Sequence, residues 1–175
     1  MLVIANNHVA VRPMDEEVKM LLEPYLRQCP FNAERPENVH ATIAYTETSI
    51  QASLIDPSKV YTATITGAQS WFDRYMGIKD FVITLESPDL IARHNELIEA
   101  SGTKSVYDDY VPHIVLAYDI PNSTPRNRWW INDVIEQFNT RYKGTVIRFS
   151  GEYIEDSAGN VPPRGQENLP VKPVL

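Results

Sequence analysis

Apolar and polar positions alternate along several stretches of the chain and recur at helical spacing along others. Alternation marks a strand, because successive side chains leave a strand on opposite faces. Residues 2–11, LVIANNHVAV, read as a strand with a polar interruption. HATIAY at 40–45 and HIVLAY at 113–118 read as two more. VYTATITGAQSWF, from residue 60, reads as a strand running into a turn at Gly67. FVITLE at 81–86 and TVIRFSGEYIE at 145–155 complete the set. Helical spacing appears three times. Over 15–28 the stripe is Val18, Leu21, Leu22, Tyr25 and Leu26, with Asp15, Glu16 and Glu17 at the end that favours acidic groups. Pro24 should kink or end that helix. Over 88–101, Ser87 caps, Pro88 opens and Gly102 closes a helix whose stripe is Leu90, Ile91, Leu97 and Ile98. A third helix has Thr124 as cap, Pro125 at its first position, and Trp130, Ile131, Val134, Ile135 and Phe138 as its stripe.

The order is strand–helix–strand–strand, then strand–helix–strand–helix–strand. Each half holds one of the two similar segments, preceded by a strand and a helix. This predicts an α+β fold of two lobes related by a pseudo-twofold axis: two antiparallel sheets, flanked by helices, with a central cleft. Residues 1–155 form this single bilobal domain. The Pro/Gly-rich stretch 156–175 is expected to be a surface or mobile tail. On one face of the first repeated strand lie His40, Thr42 and Ala44, with Ala41, Ile43 and Tyr45 on the other. In the second, His113, Val115 and Ala117 oppose Ile114, Leu116 and Tyr118. The pseudo-twofold would set His40 and His113 facing each other across the cleft.

Composition narrows the class. The chain has 175 residues, 43% hydrophobic and 22% charged, which suits one soluble globular domain. No apolar run approaches the roughly 18 residues needed to cross a bilayer. The opening residues lack a signal peptide's basic leader, and the single cysteine, Cys29, cannot form an internal disulfide. A cytoplasmic protein is expected, with no membrane partner. The formal charge of −7 argues against a binder of long nucleic acid. A small phosphorylated ligand still fits, provided a few donors converge on it.

Histidine moves protons near neutral pH. Two across a cleft can serve a phosphodiester as base and acid, each contributing ~10²–10⁴-fold. Thr42 lies two residues past His40 on the same face, where a hydroxyl can donate to a phosphate oxygen. Such chemistry asks for no metal. A lone strand histidine is more often structural, and a duplication kept for packing is the bland alternative. Two matched copies favour function.

These residues carry a resemblance. The paired H-x-T and H-x-V strands resemble the two signature motifs of the 2H phosphoesterase superfamily, across roughly residues 1–155. TITGAQSWF between the motifs and VPHIVLAY at the second are similar to stretches of that family. The resemblance implies a bilobal α+β fold and metal-independent cleavage of 2′,3′-cyclic phosphates, 2′-5′ bonds or 3′-5′ bonds. It implies His40 and His113 as the acid–base pair and Thr42 as phosphate donor. Val115 departs from the pattern, standing where the family has Thr or Ser; the second donor is missing or supplied elsewhere. Within the superfamily the chain is most similar to the viral anti-CBASS phosphodiesterases, through Trp71, the length and the late FSGEYIE strand. That implies cleavage of a 3′-5′ linkage in a cyclic di- or trinucleotide, attacked by the neighbouring ribose 2′-OH. The setting would be the host cell's cytoplasm.

Other residues extend the expected site. Trp71 either stacks a base or plugs the rim of the core. Tyr107 and Tyr110, just ahead of the second motif, edge the cleft or cover it. Glu152 receives a nucleobase edge or is merely solvated. Trp71, Tyr110, Val115 and Glu152 are therefore taken as substrate-binding. Trp130 packs in the core, His94 is structural, and His8 is a weak cleft candidate. No metal-ligand motif, nucleotide-binding loop or cofactor fingerprint is present, so no metal or cofactor is expected. Two other readings remain: a 2′,3′-cyclic phosphodiesterase acting on RNA ends, and a non-catalytic sponge for cyclic nucleotides, which Val115 supports.

Overall fold

Among the described residues three α-helices and six strands follow one another as β1 (His8–Pro13), α1 (Asp15–Leu26), β2 (Ala41–Tyr45), β3 (Val60–Asp73), β4 (Ile78–Glu86), α2 (Pro88–Ser101), β5 (His113–Pro121), α3 (Pro125–Tyr142) and β6 (Val146–Glu155), with single 3-10 turns at Pro36–Asn38 and Ala52–Leu54. The structure is a computed structural model, and it describes residues 7–26, 34–73, 78–121, 125–155 and 162. Residues 2–6 of the expected first strand, Cys29, the Thr124 cap and all of the expected tail but Pro162 lie outside them. Helix α1 continues through Pro24 to Leu26, and residues 27–28 of its predicted extent lie outside the described residues.

All neighbouring strands pair antiparallel, in the order β1-β2-β5-β4-β3-β6, and the ring closes on itself. The order is pseudo-twofold. Strands β2-β1-β6 make one lobe and β5-β4-β3 the other, and β1-α1-β2 corresponds to β4-α2-β5. The lobes are hydrogen-bonded along both edges. β3 and β6 join through five pairs, from Val60↔Ser150 to Thr64↔Val146. β2 and β5 join through one, Ala41↔Ile114. That pair lies where the pseudo-axis crosses the two histidine strands.

Local chemistry accounts for the elements. Ser87 caps α2: its Oγ accepts from the Leu90 N–H at 3.1 Å. Gly102 ends the helix at φ 68°, a conformation that favours glycine. The buried face of α2 is Leu90, Arg93, His94 and Leu97, whereas Ile91 is 43% exposed, so the expected stripe is rotated. On α3, Ile131, Val134 and Phe138 are buried and Trp130 packs partly against the core. Strand β3 does not turn at Gly67. It runs on to Asp73, because a bulge at Thr66 absorbs the irregularity: Ile65 faces Leu85 and Gly67 faces Thr84. Asn139 of α3 accepts from the Ala68 N–H at 2.7 Å. A Cβ at Gly67 would come within 3.1 Å of the same Asn139 oxygen, so the glycine lets α3 approach the strand. No helix among the described residues is long and apolar enough to cross a membrane.

Candidate active site

The two repeated segments share more than their letters. In the first, Val9 pairs with Ala44 and Ala10 with Thr42, so Ile43 has no partner. In the second, Phe81 pairs with Ala117 and Val82 with Val115, so Leu116 has none. Both copies therefore carry a β-bulge at their fourth residue. A bulge inserts one residue and reverses the alternation beyond it. Ile43 and Ala44 are both buried, as are Leu116 and Ala117. The tyrosines that follow return to the side of the histidines: Tyr45 and Tyr118 are only half-buried. Strict alternation had put both on the opposite face, and had put Ala44 and Ala117 with the histidines. The bulges correct that reading, and they are why the motif ends in Ala-Tyr.

Each freed carbonyl at the bulges finds a donor. The Nδ1–H of His94 donates to the Ile43 carbonyl at 2.7 Å. The Glu34 N–H donates to the Leu116 carbonyl at 2.9 Å. His94 is thus structural, as expected. Tyr110, expected to touch substrate, serves the same strand. Its hydroxyl donates to the Thr42 carbonyl at 2.8 Å, and its ring stacks on His94 with centroids 4.3 Å apart and planes within 7°. Burial pushes its phenol pKa up.

His40 and His113 are held alike. The Nδ1 of His40 lies 2.6 Å from the Asn38 carbonyl, and that of His113 lies 2.7 Å from the Val111 carbonyl. A carbonyl only accepts, so each Nδ1 carries the proton. Each neutral ring therefore presents the Nε2 lone pair, the atom suited to take a proton. In both cases the partner is two residues upstream, so backbone just ahead of each strand orients its ring. Burial pushes the His40 pKa below its usual value, against the pull of the Asn38 carbonyl, and positive charge on His8 or His113 pushes it the same way. Burial also lowers His113, against the pull of the Val111 carbonyl.

His8, only a weak candidate in the sequence, is the third ring of this site. It packs edge-on against His40 with centroids 5.5 Å apart, and against Tyr45 at 5.6 Å. Its Nδ1 lies 3.1 Å from the Glu155 carboxylate and its Nε2 lies 2.7 Å from Thr42 Oγ1. Carboxylate, imidazole and hydroxyl thus form one chain. With His8 neutral and its Nδ1–H on Glu155, the Thr42 hydroxyl donates to Nε2. With His8 protonated, Nε2–H donates to Thr42 and frees that hydroxyl to donate elsewhere. Strand pairing builds the contact, because His8 sits opposite Glu155 on β6 and opposite Tyr45 on β2. Neither pairing is readable from spacing, since the three residues stand far apart in the chain.

The remaining candidates fall into two groups. Trp71 is a strand residue of β3, 37% exposed, and its ring lies 4.5 Å from that of His113. Val115 occupies the position in β5 that Thr42 has in β2, half-buried and without a hydroxyl. Tyr107 is exposed and tilts against Tyr45, which brings it to the rim. Tyr118 bonds the Glu34 carboxyl, which burial holds above the usual carboxylate range.

Glu152 does not line the cleft. It is fully buried, and it accepts from Arg93 Nε at 3.0 Å, Arg93 Nη2 at 2.6 Å, the Tyr61 hydroxyl at 2.5 Å and the Asp56 N–H at 3.1 Å. Every lone pair is engaged, so none is left for a nucleobase. The expectation of a surface carboxylate fails at Gly151, where φ is 72° and the pairing with β1 shifts register between Ala10 and Arg12. This bulge turns Glu152 inward. The sequence held a hint in Arg93, a cation on the buried stripe of α2.

The absence of a metal motif also needs correction as geometry. His8, His40 and Glu155 each offer a donor atom, and the three donors lie within 4.8 Å of one another. The cluster spans β1, β2 and β6, so no short motif encodes it.

The Vibrio phage KVP40 protein described as anti-CBASS protein Acb1 is 30% identical over 120 residues, covering 69% of this chain and 66% of that protein. The chain thus spans just under two thirds of that relative's length. Among solved structures, a phosphoesterase matches with a TM-score of 0.50 at 16% identity, over 70% of this chain and 76% of the other. Escherichia coli LigT, complexed with 3′-AMP, matches with a TM-score of 0.52 at 17% identity, over 70% and 77%. At such identities the likeness is one of fold alone. The family model described as anti-CBASS protein Acb1 matches residues 8–157, from the histidine that opens β1 to just beyond Glu155, and the chain belongs to that family.

Proposed function

We propose that this protein is a phosphodiesterase that cleaves the 3′-5′ linkages of cyclic di- or trinucleotide immune signals without a metal, in the cytoplasm of the infected cell. One observation carries the reading. Two histidines, each fixed through Nδ1 on a carbonyl two residues back, present Nε2 from either side of the Ala41–Ile114 pair. Membership of a family named for acting against CBASS supports the substrate class. So does LigT, a neighbour in fold seen with a 3′-nucleotide.

His40 acts as the base. Burial and the adjacent His8 favour its neutral form. Its Nε2 takes the proton of the ribose 2′-OH, and the 2′ oxygen attacks phosphorus. His113 acts as the acid. The Trp71 ring lies 4.5 Å from its ring, close enough for an aromatic group to favour the imidazolium against the burial that lowers the His113 pKa. As the P–O5′ bond breaks, His113 gives its proton to the 5′ oxygen. The immediate product is a linear nucleotide ending in a 2′,3′-cyclic phosphate. Thr42 donates to a non-bridging oxygen, in the protonation state of His8 that leaves its hydroxyl free. The exposed part of Trp71 stacks a base. Val115 contributes packing only, and the lobe it belongs to supplies no hydroxyl at that position.

Mass spectrometry of products formed from 3′,3′-cyclic dinucleotides in EDTA tests the proposal. Linear nucleotides are the expected result. Faster turnover of nucleoside 2′,3′-cyclic phosphates would favour RNA-end processing instead. Recovery of intact ligand after denaturation would favour the sponge.

A further inference from the structure

We propose that His8, His40 and Glu155 form a binding site for a zinc-class divalent cation, and that the cation shuts off turnover by taking the lone pair of His40. The donor set is two imidazoles and one carboxylate, which suits zinc. The spacing is close to what zinc requires. Bonds of ~2.0–2.1 Å set two ligand atoms of a tetrahedral ion about 3.3 Å apart. His8 Nδ1 and Glu155 Oε2 are already 3.1 Å apart. The same bonds place two coordinated imidazole centroids about 5 Å apart, and the rings of His8 and His40 stand at 5.5 Å, inclined at 68°. All three donors lie within 4.8 Å, so modest side-chain rotation gathers them.

The surroundings of the ligands support the site independently. Metal-bound histidines donate their second ring N–H to an oxygen, which fixes their orientation. Both rings have that oxygen in place. His40 Nδ1 lies on the Asn38 carbonyl, leaving Nε2 for the ion. His8 Nε2 lies 2.7 Å from Thr42 Oγ1, leaving Nδ1 for the ion beside Glu155. With the ion bound, Nε2–H of His8 donates to Thr42. The chain's net charge of −7 also favours a cation. A metal-free enzyme would thereby carry a metal-dependent brake. The site rests on geometry alone, while its effect on turnover rests on the acid–base reading above.

Cobalt(II) titration of the full chain, followed by visible ligand-field absorption, reads the site without substrate. The expected result is one equivalent of tetrahedral cobalt, displaced by zinc. His8→Ala and Glu155→Gln should each weaken it at least about 10-fold, the lower bound for losing even an outer partner. Circular dichroism checks each fold, and Glu155→Gln carries the comparison if His8→Ala unfolds. In parallel, cyclic dinucleotide turnover should fall as zinc fills the site and return on adding EDTA. An absent cobalt band, or a band of unchanged affinity in a folded variant, overturns the site. Turnover that rises or stays constant at zinc saturation overturns the brake. If no cyclic nucleotide is cleaved under any condition, the functional reading fails, and the cobalt spectrum still decides the site.

Discussion

Replacing Glu152 by Gln should unfold the protein more easily without slowing it. The carboxylate is fully buried and accepts four hydrogen bonds, two of them from Arg93. Glutamine keeps one acceptor oxygen and turns an NH2 group toward the donors that remain. Arg93 is itself 5% exposed, so the change strands a buried cation. Breaking a buried pair from one side costs about 3–5 kcal/mol. Arg93 keeps Glu96 at 3.0 Å and the Leu54 carbonyl at 2.6 Å, which favours the lower end. For a domain of this size each kcal/mol shifts Tm by about 2–4 °C, so ~3 kcal/mol means a fall of roughly 6–12 °C. Thermal unfolding by circular dichroism measures that fall. Turnover of a cyclic dinucleotide, well below both transitions, measures the site. The expected kcat/KM stays close to that of the wild type, because Glu152 bonds Asp56, Tyr61 and Arg93 and neither histidine of the pair. An equally stable variant with clearly reduced turnover would return Glu152 to the substrate and refute the burial argument.

His40→Ala and His113→Ala should each lower kcat by about 10²–10⁴-fold with the fold intact, and single-turnover assays of both would expose a wrong assignment through an unimpaired variant. Thr42→Val should cost roughly 10²–10³-fold in kcat. Because His8 touches the same hydroxyl, adding His8→Ala to that variant should cost less than it does alone; full additivity in a double-mutant cycle would uncouple the two. The depressed pKa of His40 sets the pH dependence. The base works when neutral, so the acidic limb of kcat/KM should have its midpoint below the ordinary 6.5; a midpoint above 7 would contradict the assignment. Stability follows the same sign. The unfolded ring binds its proton first as pH falls below 6.5, so stability declines from there to the folded pKa and then levels, and His40→Asn should flatten that decline in urea titrations at several pH values.

Much was legible in one dimension. Period-two segments, a helix capped by Ser87 and a doubled His-x-x-apolar-Ala-Tyr segment are local properties of a chain, set by the pleat of a strand and the unsatisfied amides of a helix end. They determined the elements, the pseudo-twofold and the pair His40 and His113. What they could not determine was any feature that depends on one strand's register against another. The bulges at Ile43, Leu116 and Gly151 each insert a single residue. That insertion reversed the faces of Tyr45 and Tyr118 and turned Glu152 from an expected ligand contact into a buried ion-pair partner. The cluster of His8, His40 and Glu155 likewise exists only because β1 lies between β2 and β6. Alternation is written residue by residue, but the carbonyl that a bulge frees needs a donor from outside the ladder. Here His94 and Glu34 are those donors, and only the tertiary structure brought them there.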